Sequence, residues 1–257
     1  MKNKLFLIPL FILSLFIISC DKDDDHNHDD DHIHNDDMGK VEVIVDFVWG
    51  MNQTEFALNQ ELTHPRTGEK LTFETMKFYL SNIKMKRMDD GTWYEHPESY
   101  AIIDASSDSR RTMVLEDVPT GHYTDIQYTI GVDAERNTSG AQTGALAPSN
   151  GMFWSWSTGY IMVMAEGMEA DHGMFTYHLG GFEGENNIVA EKTATFPEHL
   201  DVKTEKDVKV FLTANPARLW HTIDGVEDVG MVHMINPNSK ILGDDFIGSI
   251  NFDRVEN

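Results

Sequence analysis

Residues 41–49 read VEVIVDFVW. Every second position from Val41 to Trp49 carries a large apolar side chain, whereas Glu42 and Asp46 stand between them. A period of two residues is that of a β-strand, whose successive side chains point to opposite faces. The other intermediate positions are apolar as well, so the sequence predicts a largely buried strand at the start of the folded domain.

Further strand-like segments follow at short intervals. The stretch KFYLSNIKMK at 77–86 leads into the turn sequence Asp89-Asp90-Gly91, and 92–96 is predicted as the return strand of a hairpin. Other predicted short strands are 100–103, 123–132, 159–165, 174–179, 208–212 and 246–252. Turn sequences separate them, and long amphipathic helical patterns are absent. This pattern predicts an all-β fold, an antiparallel β-sandwich.

The N-terminus has the features of a bacterial lipoprotein signal. Two lysines precede the apolar run Leu5–Ile18, whose 14 residues are fewer than the about 20 that a membrane-spanning helix needs. The run ends in Ile-Ser-Cys, which is similar to a lipobox, where the cysteine is lipidated. We therefore predict a signal peptide at 1–19 and a lipid-modified Cys20. The expected location is the outer membrane, facing either the periplasm or the cell surface.

Residues 21–37 read DKDDDHNHDDDHIHNDD, with nine aspartates, four histidines and one apolar side chain. Such a segment cannot bury enough surface to fold, so we expect 20–38 to be a lipidated cysteine followed by a disordered tether. Its metal-ligand candidates are His26, His28, His32 and His34, because imidazole binds copper, zinc and nickel. Weak metal capture and a plain hydrophilic spacer are both open interpretations of this segment.

Charge and cysteine content exclude several classes of function. The formal net charge is −23 and no basic stripe is present, which excludes nucleic acid as a partner. Cys20 is the only cysteine, so residues 39–257 contain no disulfide, no cysteine zinc knot and no thiolate nucleophile. No phosphate loop, G-x-S-x-G or H-E-x-x-H motif occurs. We expect 39–257 to be one domain without enzymatic activity.

The most informative motifs lie between residues 128 and 182. They are YTIGVD at 128–133, GMFWSWSTGY at 151–160, AEG at 165–167 and FTYHLGG at 175–181. In this order they resemble the MbnP-like copper-binding protein family, which includes secreted copper proteins of methanotrophs and lipoproteins of Bacteroidota. FYLSNI at 78–83 and VPTGHY at 118–123 are similar to other landmarks of that family. The resemblance implies that the β-sandwich at 39–257 handles copper outside the inner membrane.

The resemblance also implies a ligand set and partners. Methanotroph members bind Cu(I) with two histidines and a tryptophan that a diheme peroxidase-like partner oxidises to kynurenine. A TonB-dependent importer is the second partner expected. His178 matches the histidine of the family's His-Leu-Gly motif. The family's tryptophan and other histidine flank an asparagine, but Asn137 stands between Arg136 and Thr138 here. The family ligand set is therefore incomplete in this chain.

Other donors occur near His178 in the sequence. His178 is expected on the strand face opposite to its aromatic neighbours, either as a ligand or as a hydrogen-bonded strand residue. His172 lies at the preceding turn and approaches His178 if that loop folds back. Thioethers suit Cu(I), although methionine is also a common core residue. Five methionines fall within 23 residues: Met152, Met162, Met164, Met168 and Met174.

Tryptophans are a further group of candidate functional residues. Trp154 and Trp156 share a strand face with Met152, either packing there or, for one of them, undergoing modification. Together with Trp93 they would form an aromatic platform if they are exposed.

Three classes of function remain open. The first is a lipoprotein that captures or buffers copper, with zinc as the alternative metal. The second is a surface module for carbohydrate or protein, and the third is a structural lipoprotein without a ligand.

Overall fold

The structure is a computed structural model that describes residues 37–140, 142–155 and 157–257. The described residues from 37 onward form one compact unit. No helix in the described ranges has the length and apolar character needed to cross a bilayer. The following predicted features lie outside the described residues: the signal peptide 1–19, Cys20, His26, His28, His32, His34 and Trp156.

Strands dominate the described part of the chain. They are β1 (Met38–Trp49), β2 (Thr54–Glu55), β3 (Glu61–Thr63), β4 (Lys70–Arg87), β5 (Trp93–Glu95), β6 (Tyr100–Asp104), β7 (Thr112–Pro119), β8 (Gly121–Ile130), β9 (Phe153–Ser155), β10 (Gly159–Glu169), β11 (Gly173–Gly180), β12 (Ala190–Val202), β13 (Val208–Ala214), β14 (Met231–Val232) and β15 (Asn251–Glu256). The helices are α1 (Ala134–Thr138) and α2 (Pro237–Gly248), and a 3₁₀ helix spans Pro216–Trp220.

The strands form two sheets. One has five strands in the order β15-β13-β1-β2, with β7 also pairing with β1. The other has ten, in the order β12-β8-β4-β10-β11-β14, with β3, β5 and β6 on β4 and β9 on β10. Most pairings are antiparallel, but β1–β13 and β11–β14 are parallel. The predicted all-β sandwich is confirmed, with these two parallel pairings inside it.

The core lies between the sheets and begins with β1. Val41, Val43 and Val45 have no exposed surface and Phe47 has 3 %, so the predicted inward face of this strand is confirmed. Burying each such side chain stabilises the fold by about 1.5–3 kcal/mol relative to exposure. Phe47 contacts Phe78 of β4 edge to face at 6.0 Å between ring centroids. The two sheets are thus joined by aromatic contacts.

The C-terminal region differs from the sequence prediction. The strand predicted at 246–252 is wrong in its first half, because Phe246 to Gly248 end α2 and β15 begins at Asn251. The start of α2 follows ordinary helix chemistry. The Asn236 side chain accepts a hydrogen bond from the Ser239 N–H at 2.9 Å, and Pro237 occupies the first turn. Asn236 and Pro237 are therefore the residues that mark the start of this helix in the sequence.

Candidate metal site

Strand β11 has one side toward the core and one toward solvent. Phe175, Tyr177 and Leu179 are fully buried. Thr176 and His178, at the alternate positions, are half-buried. The outward position predicted for His178 is therefore confirmed.

Three strands place donor atoms next to one another on the outward side. On β10, Met164 pairs with His178, and Met168 pairs with Met174. On the other side of β11, β14 pairs Met231 with Thr176. We call this surface the His–Met face. It comprises Met164, Glu166, Met168, Met174, His178, Met231 and His233.

His178 has a defined proton arrangement on this face. Its Nε2 lies 2.7 Å from Glu166 Oε1, so the ring N–H donates and the carboxylate accepts. In a neutral imidazole the other nitrogen, Nδ1, then carries a free lone pair. No hydrogen bond to Nδ1 is found within the described ranges. Metal-binding histidines commonly donate their other ring N–H to a carboxylate in this way, which fixes the tautomer and the orientation of the ring.

His233 is a candidate ligand that the sequence interpretation missed. Its exposed ring stacks on that of His178, with centroids 4.7 Å apart and planes 29° apart. Nearly parallel rings do not direct their lone pairs at one point, so one ring has to rotate before both bind the same ion. The available sequence signal was weak. His233 stands in MVHM at 231–234, next to a two-residue strand, in a region where no motif was recognised.

The methionines of the sequence cluster have two separate roles. Met152 and Met162 are buried, and the Met162 sulfur accepts a hydrogen bond from the Val132 N–H at 3.2 Å. Core packing is thus confirmed for this pair, and Met164 is half-buried and also packs against the core. On the His–Met face, by contrast, Met168 is 42 % and Met174 is 68 % exposed. Thioethers this exposed do not serve core packing, and they are accessible to a soft metal ion.

His172 is not brought together with His178. It lies in the β10–β11 turn, where its Nδ1 is 2.8 Å from Glu169 Oε2. His178 lies six positions after His172 along the extended chain, which is ~20 Å at a rise of about 3.3 Å per residue. The condition under which His172 would approach His178, a loop that folds back, is therefore not met in the structure.

Glu169 instead organises this turn. Burial opposes ionisation of its carboxyl, but hydrogen bonds from the backbone N–H groups of His172 and Asp171 and from the His172 ring outweigh that effect. The pKa of Glu169 is consequently held below its ordinary value. The carboxylate and the His172 ring thus stabilise the turn.

The positions that correspond to the family's missing ligands do not fit a copper site. Arg136 forms an ion pair with Glu98, and its guanidinium lies over the Tyr100 ring at 5.5 Å from the centroid. The Thr138 hydroxyl donates to the backbone carbonyl of Ala134 at 2.9 Å, inside α1. A fixed positive charge and a hydroxyl held by its own helix offer no soft donor to a cation.

Trp154 packs rather than forming an exposed platform. It is half-buried against the core, and a Cβ added to Gly180 would lie 2.5 Å from its Cζ3. The glycine at the end of β11 is therefore required for this contact. Trp93, on β5, is 41 % exposed. The packing interpretation is thus supported for Trp154.

The composition of the face restricts which metal it suits. Across the described ranges, no three His, Cys, Asp or Glu side chains are arranged to hold a metal ion. Zinc sites use three or four such ligands. The other donors on the His–Met face are methionine thioethers, which are soft ligands of the kind that Cu(I) accepts.

The fold and this surface define a class, an all-β sandwich with histidine and methionine donors on the outside of one sheet. A family model for MbnP matches residues 39–235, a range that includes both His178 and His233. The chain therefore belongs to the MbnP family, and the resemblance predicted from the sequence motifs is confirmed.

Structural comparison supports the same fold. The chain is similar to the solved structure of MbnP from Methylosinus trichosporium, with a TM-score of 0.50 and 14 % sequence identity. The match covers 84 % of this chain and 98 % of that chain. No curated protein sequence matches this chain. At this identity the structural likeness shows the fold alone, so the function has to be argued from the residues of this chain.

Proposed function

We propose that this protein is an extracytoplasmic lipoprotein that captures or buffers copper, and that it binds Cu(I) on the His–Met face. The observation that carries the proposal is the pairing of His178 Nε2 with Glu166 at 2.7 Å. This hydrogen bond leaves Nδ1 as the free lone pair of an oriented imidazole. Membership of the MbnP family supports the same class of function.

The chemistry of the neighbouring side chains favours Cu(I) over zinc. Met164 pairs directly across from His178, and the His233 ring is stacked on it. Two imidazoles and a thioether form a soft ligand set, which suits Cu(I). Using Glu166 as a third hard ligand for zinc would remove the carboxylate that orients His178. We therefore propose a site built from two histidines and one or more thioethers.

The N-terminal sequence supports a location outside the cytoplasm. A signal peptide, a lipidated Cys20 and an acidic tether would hold the domain at the outer membrane, where copper released from the face would reach an importer of the TonB-dependent class. Arg136 and Thr138 replace the family's tryptophan and histidine. A diheme peroxidase-like partner therefore has no tryptophan to oxidise at those positions, and we propose the importer as the partner.

Cu(I) titration against a competing chromophoric chelator tests the proposal. Residues 37–257 are a suitable sample because they form a compact unit with its own core. We expect one Cu(I) per domain and almost complete loss of that site in His178→Ala. Glu166→Gln keeps every ligand but loses the orienting carboxylate, so its affinity should fall by about 10–100-fold.

Two further variants complete the test. Met164→Leu conserves volume and should weaken Cu(I) binding selectively, because only the thioether is lost. His221→Ala removes an exposed histidine outside the face and should leave the affinity unchanged. The proposal fails if the domain binds no Cu(I), or if His178→Ala binds as tightly as the unaltered domain. Copper binding confined to the full mature chain would instead assign capture to the tether histidines.

A further inference from the structure

A cleft of about 530 Å³ lies beside the end of β1. Its lining residues come from three segments of the chain, 50–53, 64–66 and 215–221. Its volume falls within the range of about 300–1,000 Å³ typical of small-molecule sites. None of its ten lining residues is acidic, although the chain has 43 Asp and Glu against 20 Lys and Arg. Two arginines and two histidines line it instead. In a protein of such negative charge, a cleft lined only by basic and neutral residues is adapted to an anion.

Arg218 supplies the available positive charge. It is half-buried on the 3₁₀ helix, and its guanidinium has no ion pair or side-chain hydrogen bond among the described residues. Arg66, by contrast, is engaged with Asp224 at 2.9 Å. A partly desolvated guanidinium without a partner binds a carboxylate favourably, because its planar fork matches the two carboxylate oxygens.

The frame around Arg218 is fixed before any ligand binds. The buried His64 ring donates from Nε2 to Ala217 O at 2.8 Å and accepts the Thr67 N–H at Nδ1 at 3.0 Å. Burial lowers the pKa of His64, so this ring stays neutral and does not compete for the anion. The Asn215 side chain accepts the Gly50 N–H at 3.1 Å. Preorganised walls of this kind reduce the entropy cost of binding.

Apolar side chains form part of the remaining surface of the cleft, beside the polar Gln53 and Asn215. Met51 is 88 % exposed at one wall, and Pro65 lies at the cleft as well. We propose that this cleft binds a small organic anion, a carboxylate joined to an apolar body. The carboxylate pairs with Arg218, and the apolar body packs on Met51 and Pro65. This site uses none of the residues of the His–Met face. The proposal therefore goes beyond the copper function, and its test does not depend on copper binding.

Methyl NMR of protein labelled at the methionine methyls tests the inference, with 3-phenylpropionate as the probe. Met51, assigned through Met51→Leu, is a reporter inside the cleft, and the methionines of the His–Met face are internal references. We expect saturable shifts at Met51 and none at Met164 or Met231. The uncharged 3-phenylpropanol has the same apolar body. We expect its affinity, measured from the shift of the Met51 methyl, to be lower by about tenfold or more.

Arginine variants identify the charge that matters. Arg218→Gln should weaken 3-phenylpropionate binding by about tenfold or more, because a charge-assisted pair is lost. Arg111→Gln makes the same change in charge at an exposed pair with Asp108 outside the cleft and should bind normally. The inference is overturned if millimolar 3-phenylpropionate leaves Met51 unshifted, if the alcohol binds equally well, or if both arginine variants lose affinity alike.

Discussion

Replacement of Asn137 by alanine should be among the most damaging single changes in the domain. Asn137 is 1 % exposed, although it lies in the short helix α1. Its side-chain amide donates to Val132 O at 2.7 Å and to Asp133 O at 2.9 Å. Its carbonyl oxygen accepts the Tyr160 N–H at 3.0 Å. One side chain thus joins the end of β8, α1 and the start of β10.

The expected loss follows from the groups left without partners. Asp133 O still accepts the backbone N–H of residue 137 at 3.1 Å, so it keeps a hydrogen bond. Val132 O and the Tyr160 N–H lose the bonds made by Asn137, and each buried group left unpaired costs about 1–3 kcal/mol. The sum is about 2–6 kcal/mol. This is a large part of the total for a domain whose unfolding free energy is on the order of 5–15 kcal/mol.

Urea denaturation followed by tryptophan fluorescence measures this loss. We expect Asn137→Ala to lower the midpoint strongly with an unchanged slope, as for a pure loss of stability. Thr138→Ala, at the exposed neighbour, should cost less than about 0.5 kcal/mol. An unfolding free energy of Asn137→Ala within about 1 kcal/mol of the unaltered domain, or an equal loss in Thr138→Ala, would contradict this role of the Asn137 side chain.

Three further perturbations have defined outcomes. Gly180→Ala should destabilise the domain by about 1–3 kcal/mol in thermal or urea unfolding, because the new Cβ would lie 2.5 Å from Trp154. Glu169→Gln should destabilise it at neutral pH by about 1.5–3 kcal/mol, since a buried charged acceptor is lost. Folding lowers the pKa of Glu169 from 4.5, so the stability that its carboxylate contributes is complete above pH 4.5. This stability is lost as the pH falls through the lower pKa of the folded state. The difference in unfolding free energy between the unaltered domain and Glu169→Gln should therefore shrink over that range. Cys20→Ala should move the protein from the membrane fraction to the soluble fraction in cell fractionation.

Each of these expectations has its own control and contrary result. Gly248→Ala adds a Cβ with nothing within 4 Å, so it should be tolerated, and equal loss in both glycine variants would contradict the clash. Glu185→Gln changes an exposed carboxylate and should leave the unfolding free energy unchanged. A constant difference between Glu169→Gln and the unaltered domain from pH 7 to pH 3 would contradict the linkage. A Cys20→Ala protein that stays with membranes would contradict the lipid anchor.

Much of the fold was predictable because β1 and β4 are strongly patterned. The buried positions of β1 recur every second residue, and those at the end of β4 (Ser81, Ile83 and Met85) do the same. The turn after β4 has Gly91 at a φ of +72°, as its sequence predicts. Strand β12 was not predicted, because most of its residues are polar or half-exposed. Its sequence therefore lacks apolar residues at every second position. Helix α2 was mistaken in part for a strand, although Asn236 and Pro237 carry the chemistry of a helix start.

The candidate site was predictable only in part, for a related reason. His178 was found through its motif, and its outward direction follows from alternation along one strand. Its partners come from other strands through register: Glu166 from β10, and His233 from beside β14. A two-residue strand paired in parallel across more than fifty residues leaves no periodic signal in the sequence. Whether a nearby histidine joins His178 is therefore decided by sheet pairing, which excluded His172.

X-ray absorption at the copper edge of residues 37–257, loaded with one equivalent of Cu(I), shows directly whether copper binds to the His–Met face. We expect a Cu(I) ion with both nitrogen and sulfur neighbours. Because the domain has no cysteine, any sulfur neighbour must be a methionine thioether. The sulfur signal should weaken in Met164→Leu, and the bound copper should be lost in His178→Ala. A copper spectrum with nitrogen and oxygen neighbours only, unchanged in both variants, would contradict a site on the His–Met face.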